Sequence, residues 1–164
     1  MKPKIRQLAL AGMFLLSAGA ASAAVKVVYV QPENFADIPF TTWERDDVLK
    51  ELTRHFTKLG EALPPGQDLN IEVLDIDLAG RAHPGRGTAR DIRILRGGAD
   101  WPRMHLRYTL ESNGNVIKRG DDQLSDMMYL DHISQYRDGD TLRYEKQMID
   151  DWFEKNIGPR KPKK

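Results

Sequence analysis

Between Leu69 and Ala79, apolar and polar side chains alternate as they do along a strand with one wet face, but they do so in two successive phases. Leu69, Ile71 and Val73 share one parity, and Leu74, Ile76 and Leu78 share the other. A one-residue slip would turn every later apolar side chain to the wrong face. The phase change at Val73-Leu74 therefore predicts a β-bulge or strong twist in a central strand.

Other elements follow from the same patterning. Val25 to Val30 is rich in β-branched residues and stops at Gln31-Pro32, which predicts a first strand. A loop containing Pro32 and Pro39 follows, with Phe35 as its anchor. Thr41-x-x-Glu44 matches a capping box, and Asp46 and Asp47 add negative charge to the first turn. Val48, Leu49, Leu52, Phe56, Leu59 and Leu63 then form one helical stripe that ends at Pro64-Pro65-Gly66. Gly80 to Arg90 reads as an exposed loop, and Asp91 to Leu95 as a short strand with Ile92 and Ile94 inward. Met104 to Glu111 alternates up to Asn113-Gly114, a strong hairpin signal, and Val116 to Arg119 returns as the partner strand. A short helix is expected over Ser125 to Ile133 under Met127, Met128, Leu130 and Ile133. A final helix spans about Leu142 to Asn156, with Tyr144, Glu145, Met148, Ile149, Trp152 and Phe153 on one face. The order predicts a single α+β domain over residues 24–158, a mixed β-sheet of about four strands with two main helices packed on one face.

Charge and composition alter the picture chiefly at the two ends. Lys2, Lys4 and Arg6, the apolar run Leu8 to Leu16 and the small residues Ala21-Ser22-Ala23 match a cleavable export leader over residues 1–23, with the cut before Ala24. The run is too short for a spanning helix, so no membrane span is expected once the leader is gone. The whole chain carries 25 Lys and Arg against 24 Asp and Glu, and the leader removes three bases and no acid. The mature chain is thus mildly acidic, at 22 bases against 24 acids, and four of those bases lie in a basic tail expected to be disordered over residues 159–164. That balance argues against a nucleic-acid partner. The absence of cysteine excludes disulfides, thiolate metal sites and thiol nucleophiles.

The strongest chemical signal is basic. Arg81, Arg86, Arg90, Arg93, Arg96, Arg103 and Arg107 fall between positions 81 and 107 with only Asp91 and Asp100 against them, a local charge of +5. Planar guanidinium forks on a glycine-rich loop suit phosphate or carboxylate, so Arg81, Arg86, Arg90, Arg93 and Arg103 are the candidate ligand-binding residues. The alternative use of these arginines is in ion pairs with Asp75, Asp77, Asp121 and Asp122 on neighbouring strands, or simple solvation. A metal site is the second candidate. Asp75 and Asp77, two apart on a strand, share a face, and His83 and His105 are within reach of them in sequence. Gly-x-Ser-x-Gly, His-Glu-x-x-His and phosphate-cradling glycine patterns are missing, and the adjacent pairs Asp121-Asp122 and Asp150-Asp151 point apart on a regular element. No catalytic set and no cofactor is predicted.

Val-Val-Tyr-Val-Gln-Pro-Glu-Asn-Phe at 27–35, Asp-Ile-Asp-Leu-Ala-Gly at 75–80, Asp-Ile-Arg-Ile-Leu at 91–95, Trp-Pro-Arg-Met at 101–104 and Tyr-Glu-Lys-Gln-Met-Ile-Asp-Asp-Trp-Phe at 144–153 together resemble a family of small exported proteobacterial proteins, domain of unknown function 3016. The resemblance covers nearly all of the mature chain and implies a periplasmic or secreted location. It brings no activity, ligand or catalytic residue with it. The expected function is a non-enzymatic module that binds an envelope protein or an anionic envelope component. The alternatives are a metal-dependent hydrolase with Asp75, Asp77, His83 and His105 as ligands, and an assembly factor acting through a sheet edge.

Overall fold

A computed structural model describes residues 23–83 and 92–158. The leader, apart from Ala23, and the basic tail at 159–164 lie outside the described residues, as do Arg86 and Arg90. Four strands form the main sheet: β1 (Ala24–Tyr29), β2 (Gln67–Asp77), β5 (Arg103–Ser112) and β6 (Asn115–Ser125), side by side in the order β1-β2-β5-β6. β1 runs parallel to β2, while the β2–β5 and β5–β6 pairs are antiparallel, so the sheet is mixed. A short ladder of β3 (Arg81–His83) and β4 (Ile92–Ile94) stands apart from it. The two helices are α1 (Thr42–Gly60) and α2 (Arg143–Asn156).

β2 is the central strand, and its register with β5 shifts between Val73 and Asp75. Leu74 is the extra residue. With the slip in place, Leu69, Ile71, Val73, Ile76 and Leu78 all reach the core, beside Met104, Leu106, Tyr108 and Leu110 of β5. The helices cover that face and leave the other open. Leu52 and Phe56 of α1 are fully enclosed, and the Trp152 ring of α2 lies edge-on to both Phe56 and Tyr108, at 6.3 and 5.4 Å. Each fully buried side chain of this kind contributes roughly 1.5–3 kcal/mol from apolar surface removed from water. The β5–β6 turn is made by Asn113 and Gly114 with φ of 50° and 78°, the left-handed pair that a tight two-residue hairpin requires.

Four local expectations change. Thr41 precedes α1 as predicted, but its hydroxyl donates to the Glu44 carboxylate instead of accepting a backbone N–H, so the two box residues satisfy each other. Residues 81–83, expected in a loop, form β3. On β4 the facing is the reverse of that expected: Ile92 and Ile94 are exposed, at 55% and 37%, and Arg93 turns inward. The helix expected at Ser125 to Ile133 is a run of turns. Met127, Met128, Leu130 and Ile133 are exposed, whereas Tyr129 is buried, its hydroxyl donating to Asp100 and its ring edge-on to Tyr144. A hydrogen-bonded ring holds this segment more firmly than a one-turn apolar stripe would.

The helices meet through polar groups. His55 Nε2 lies 2.8 Å from Asp150 Oδ1, Gln135 donates to Oδ2 at 2.6 Å, and the Tyr136 hydroxyl donates to the same oxygen. Lys146 bridges Glu51 and Asp140 at 2.8 and 2.6 Å. Burial raises the Asp150 carboxyl, but its bonds with His55, Tyr136 and Gln135 outweigh this and hold it below the usual carboxylate range. A carboxyl lowered in the folded state contributes stability that is complete above the unfolded value, about 3.9, and lost as pH falls through the folded one. Urea midpoints measured against pH should therefore fall below about pH 4 in the wild type. Asp150→Asn should cost about 1–3 kcal/mol at neutral pH and flatten the acid limb. An unchanged acid limb in the variant would place the titration elsewhere.

Candidate functional site

The end of the sheet where both helices begin carries the most distinctive chemistry. β2 stops at Asp77, and the next three carbonyls lie beyond the ladders of both neighbours. Arg93 supplies their donors from β4. Its Nε donates to the Ala79 carbonyl at 2.8 Å, and Nη2 to the Leu78 carbonyl at 2.9 Å and to Asp37 Oδ2 at 2.8 Å. The Gly80 carbonyl lies 3.1 Å from the same nitrogen. Asp37 is itself fixed, because its backbone extends the pairing of β2: its N–H donates to the Ile76 carbonyl, and its own carbonyl accepts from Leu78. Gly80 sits at φ 78°, and a Cβ there would lie 2.8 Å from the Ile94 carbonyl oxygen, so the turn into β3 requires glycine.

On the other side of the same peptides, the Ala79 N–H donates to Glu145 Oε1 at 2.7 Å. Glu145 is enclosed and its Oε2 has no partner among the described residues; burial raises this carboxyl above the usual range. Asp100 differs. The Arg96 N–H, followed by the Tyr129 hydroxyl and further backbone N–H groups, outweighs burial and holds it low.

Above this junction lies a cleft of about 610 Å³. One wall is the start of α1, with Trp43, Glu44, Asp47 and Val48, preceded by Ile38 and Phe40. A second is the β3–β4 ladder, with Ala82, Ile92 and Arg93, continued by Leu95; the third is the entry to α2, from Asp138 to Tyr144. Phe40 is 97% exposed and Trp43 47% exposed at its mouth. Apolar side chains of this size left partly or wholly in water at a concave surface make this cleft the candidate site.

The predicted arginines are not gathered into one site. Arg93 is held inside the fold as described. Arg103 pairs with Asp77 at 3.3 Å and lies 4.8 Å from the centre of the Trp101 ring, while Arg81 is exposed on β3. Nor do the four candidate metal ligands converge. Asp75 accepts the Ala36 N–H at 2.7 Å, Asp77 pairs with Arg103, and His105 bonds Asp121 at 2.6 Å on the open face of the sheet. Among the described residues, no three His, Asp or Glu side chains are grouped so as to hold a metal ion. Asp121 and Asp122 do point apart: the first joins His105 and Arg107, and the second accepts the Trp152 indole N–H at 2.9 Å.

The family model for "Protein of unknown function (DUF3016)" matches residues 23–155. The chain belongs to this family. Neither a curated protein nor a solved structure matches it. Among the described residues no helix is long and apolar enough to cross a membrane. The cleft of this DUF3016 member was missed in the sequence because its walls come from three separated segments. One signal was readable: Trp43 lies off the apolar stripe of α1, three residues after Phe40 in the loop that leads into the helix.

Replacing Arg93 by Met should leave the half-buried Asp37 carboxylate and the carbonyls of the buried Leu78 and Ala79 short of donors. The expected cost is about 2–4 kcal/mol in urea unfolding, against no more than about 0.5 kcal/mol for Arg103→Ala, whose side chain is 45% exposed. Equal effects would show that Arg93 is a surface residue in practice.

Proposed function

We propose that this DUF3016 protein is an exported, non-enzymatic binding module of the cell envelope that holds a partner in the cleft between the starts of α1 and α2. The observation that carries this is the exposure of Phe40 and Trp43 beside a concavity large enough for several side chains. The open sheet face offers no comparable seat. Its centre is a grid of charges in which Arg107 and His105 share Asp121. The arginine-rich segment is the other seat for a partner, through Arg81, Arg86 and Arg90, but Arg93 is held inside the fold and Arg103 is paired with Asp77.

Export is supported at the start of β1. Ala24, the residue expected to lead the mature chain, donates its N–H to Asp68 Oδ1 at 3.0 Å. A freed α-ammonium at that nitrogen would meet a carboxylate. The family match also begins at residue 23 and leaves residues 1–22 of the expected leader outside it.

A photo-crosslinking residue placed at Phe40 in living cells should give a discrete adduct, identified by mass spectrometry, that is absent when the same residue stands at Lys58 and lost with Trp43→Ala. Absence of an adduct from position 40, or the same pattern from both positions, would overturn the cleft as the seat. Survival of the adduct in an Arg81→Ala, Arg86→Ala, Arg90→Ala variant supports the cleft, whereas its loss moves the seat to the arginine-rich segment.

A further inference from the structure

We infer that the free edge of β6 pairs with the same edge of a second copy of this chain, antiparallel and about a two-fold axis at Gly120, joining two four-stranded sheets into one. β6 is the outermost strand of the main sheet and is bonded to β5 on one side only. Among the described residues no other backbone group bonds to its outer side. A row of unpaired N–H and C=O groups is a template for another strand. No residue of β6 lines the cleft, so this surface is separate from the seat proposed above.

The order of charges decides what the template accepts. Lys118, Arg119, Gly120, Asp121 and Asp122 run from two positive side chains through glycine to two negative ones. With Gly120 opposite Gly120 of the second copy, each Arg119 faces an Asp121 and each Lys118 an Asp122, four pairs of opposite sign. The faces agree as well. Arg119 and Asp121 stand beside Thr109 and Arg107 on the open face, whereas Lys118 and Asp122 stand beside Leu110 and Leu106 on the face the helices cover. Moving the axis by one residue sets Arg119 or Asp121 against its own copy, and like charges directly opposite are destabilising. Charges along an edge turn away strands at large, and here their order leaves one register open. β1, the other edge, carries a single charged side chain, Lys26, and has no such symmetry.

The four side chains have capacity left. Arg119 is exposed and makes no salt bridge among the described residues. Asp121 bonds His105 and Arg107 through one oxygen each, and each oxygen keeps a further lone pair. Asp122 takes the Trp152 indole N–H, and Lys118 spends one of its three donors on the Asn156 carbonyl. Asp122 also borders a hollow of about 530 Å³ between β6 and α2, which gives the second copy's Lys118 room to approach it. Ile117 is the extra residue where the β5–β6 register shifts, so the shared ladder is confined to Lys118–Asp122. A ladder this short makes a weak dimer whose strength depends on salt.

Sedimentation equilibrium of the mature chain should show dimer at about 100 μM protein in low salt, monomer below about 1 μM, and at least about tenfold weaker association in about 0.5 M salt. Arg119→Asp alone and Asp121→Lys alone each set two like-charged pairs across the axis and should each weaken association at least about tenfold. Mixed in equal amounts, the two variants should form a heterodimer of nearly wild-type affinity, because every pair is again of opposite sign. Hydrogen exchange of the wild type, concentrated against dilute, should gain protection within β6. Monomer throughout, protection gained at β1 or at the cleft instead, or a mixture of folded variants no better than either alone would overturn the inference. Should Asp121→Lys fail to fold, the wild-type exchange pattern alone decides. An adduct from position 40 in cells is unaffected by any of these outcomes.

Discussion

Where a central strand outruns its neighbours, its peptide groups lose their ladder and need other partners, since an unpaired buried amide or carbonyl costs on the order of 1–3 kcal/mol. This constraint shapes the end of β2. The Arg93 guanidinium covers the carbonyls of Leu78 and Ala79, and Glu145 takes the Ala79 N–H, so the Ala79 residue is gripped from β4 on one side and from α2 on the other. A lysine could not replace Arg93, because a single ammonium cannot address separated carbonyls and a carboxylate in one plane. The cleft sits on this junction and takes its three walls from the elements the junction joins.

Apolar contact and polar contact divide the remaining work. The sheet and helices are held by close packing around Phe56, Ile149 and Trp152, which is strong but without direction. The angle between the helices and the course of residues 126–142 are set by directional bonds: Asp150 with His55, Tyr136 and Gln135, and Lys146 with Glu51 and Asp140. Because Tyr129 and Tyr136 anchor that segment through their hydroxyls, its apolar residues are released from packing. Met127, Met128, Leu130 and Ile133 face water as a result.

What was legible in the sequence was whatever the local period carries. The two phases of Leu69 to Ala79 predicted the bulge next to Leu74, Asn113-Gly114 predicted the turn, and the stripes of both helices reach the core as read, Glu145 included. The failures share a cause. On β4, alternation places Ile92 and Ile94 inward, but the interior there is lined by carbonyls and Asp37, so the inward residue is the charged one. No local pattern announces this, because Asp37 lies 56 positions away in the chain. The cleft is invisible to periodicity for the same reason, being assembled from residues near 40, 80, 93 and 143 that meet only after folding.

The distribution of exposed apolar side chains separates two kinds of surface on one small fold. A single sheet clad on one face must leave its other face wet, and here the middle of that face is filled by ionic and polar residues: Glu72, His105, Arg107 and Asp121. Exposed apolar residues on the sheet are confined to its edge strands and the residue that follows β1, as Val28, Val30, Val116 and Ile117, with Lys118 and Arg119 next to the last of these. Charged residues on an edge discourage pairing with another chain. At the cleft the logic is reversed: Phe40 and Trp43 flank the entry to α1 at Thr41 and Thr42, and both keep large apolar surfaces in water. Large aromatic side chains held at a concave surface forgo part of the burial a core would give them, and the proposed binding role rests on that cost.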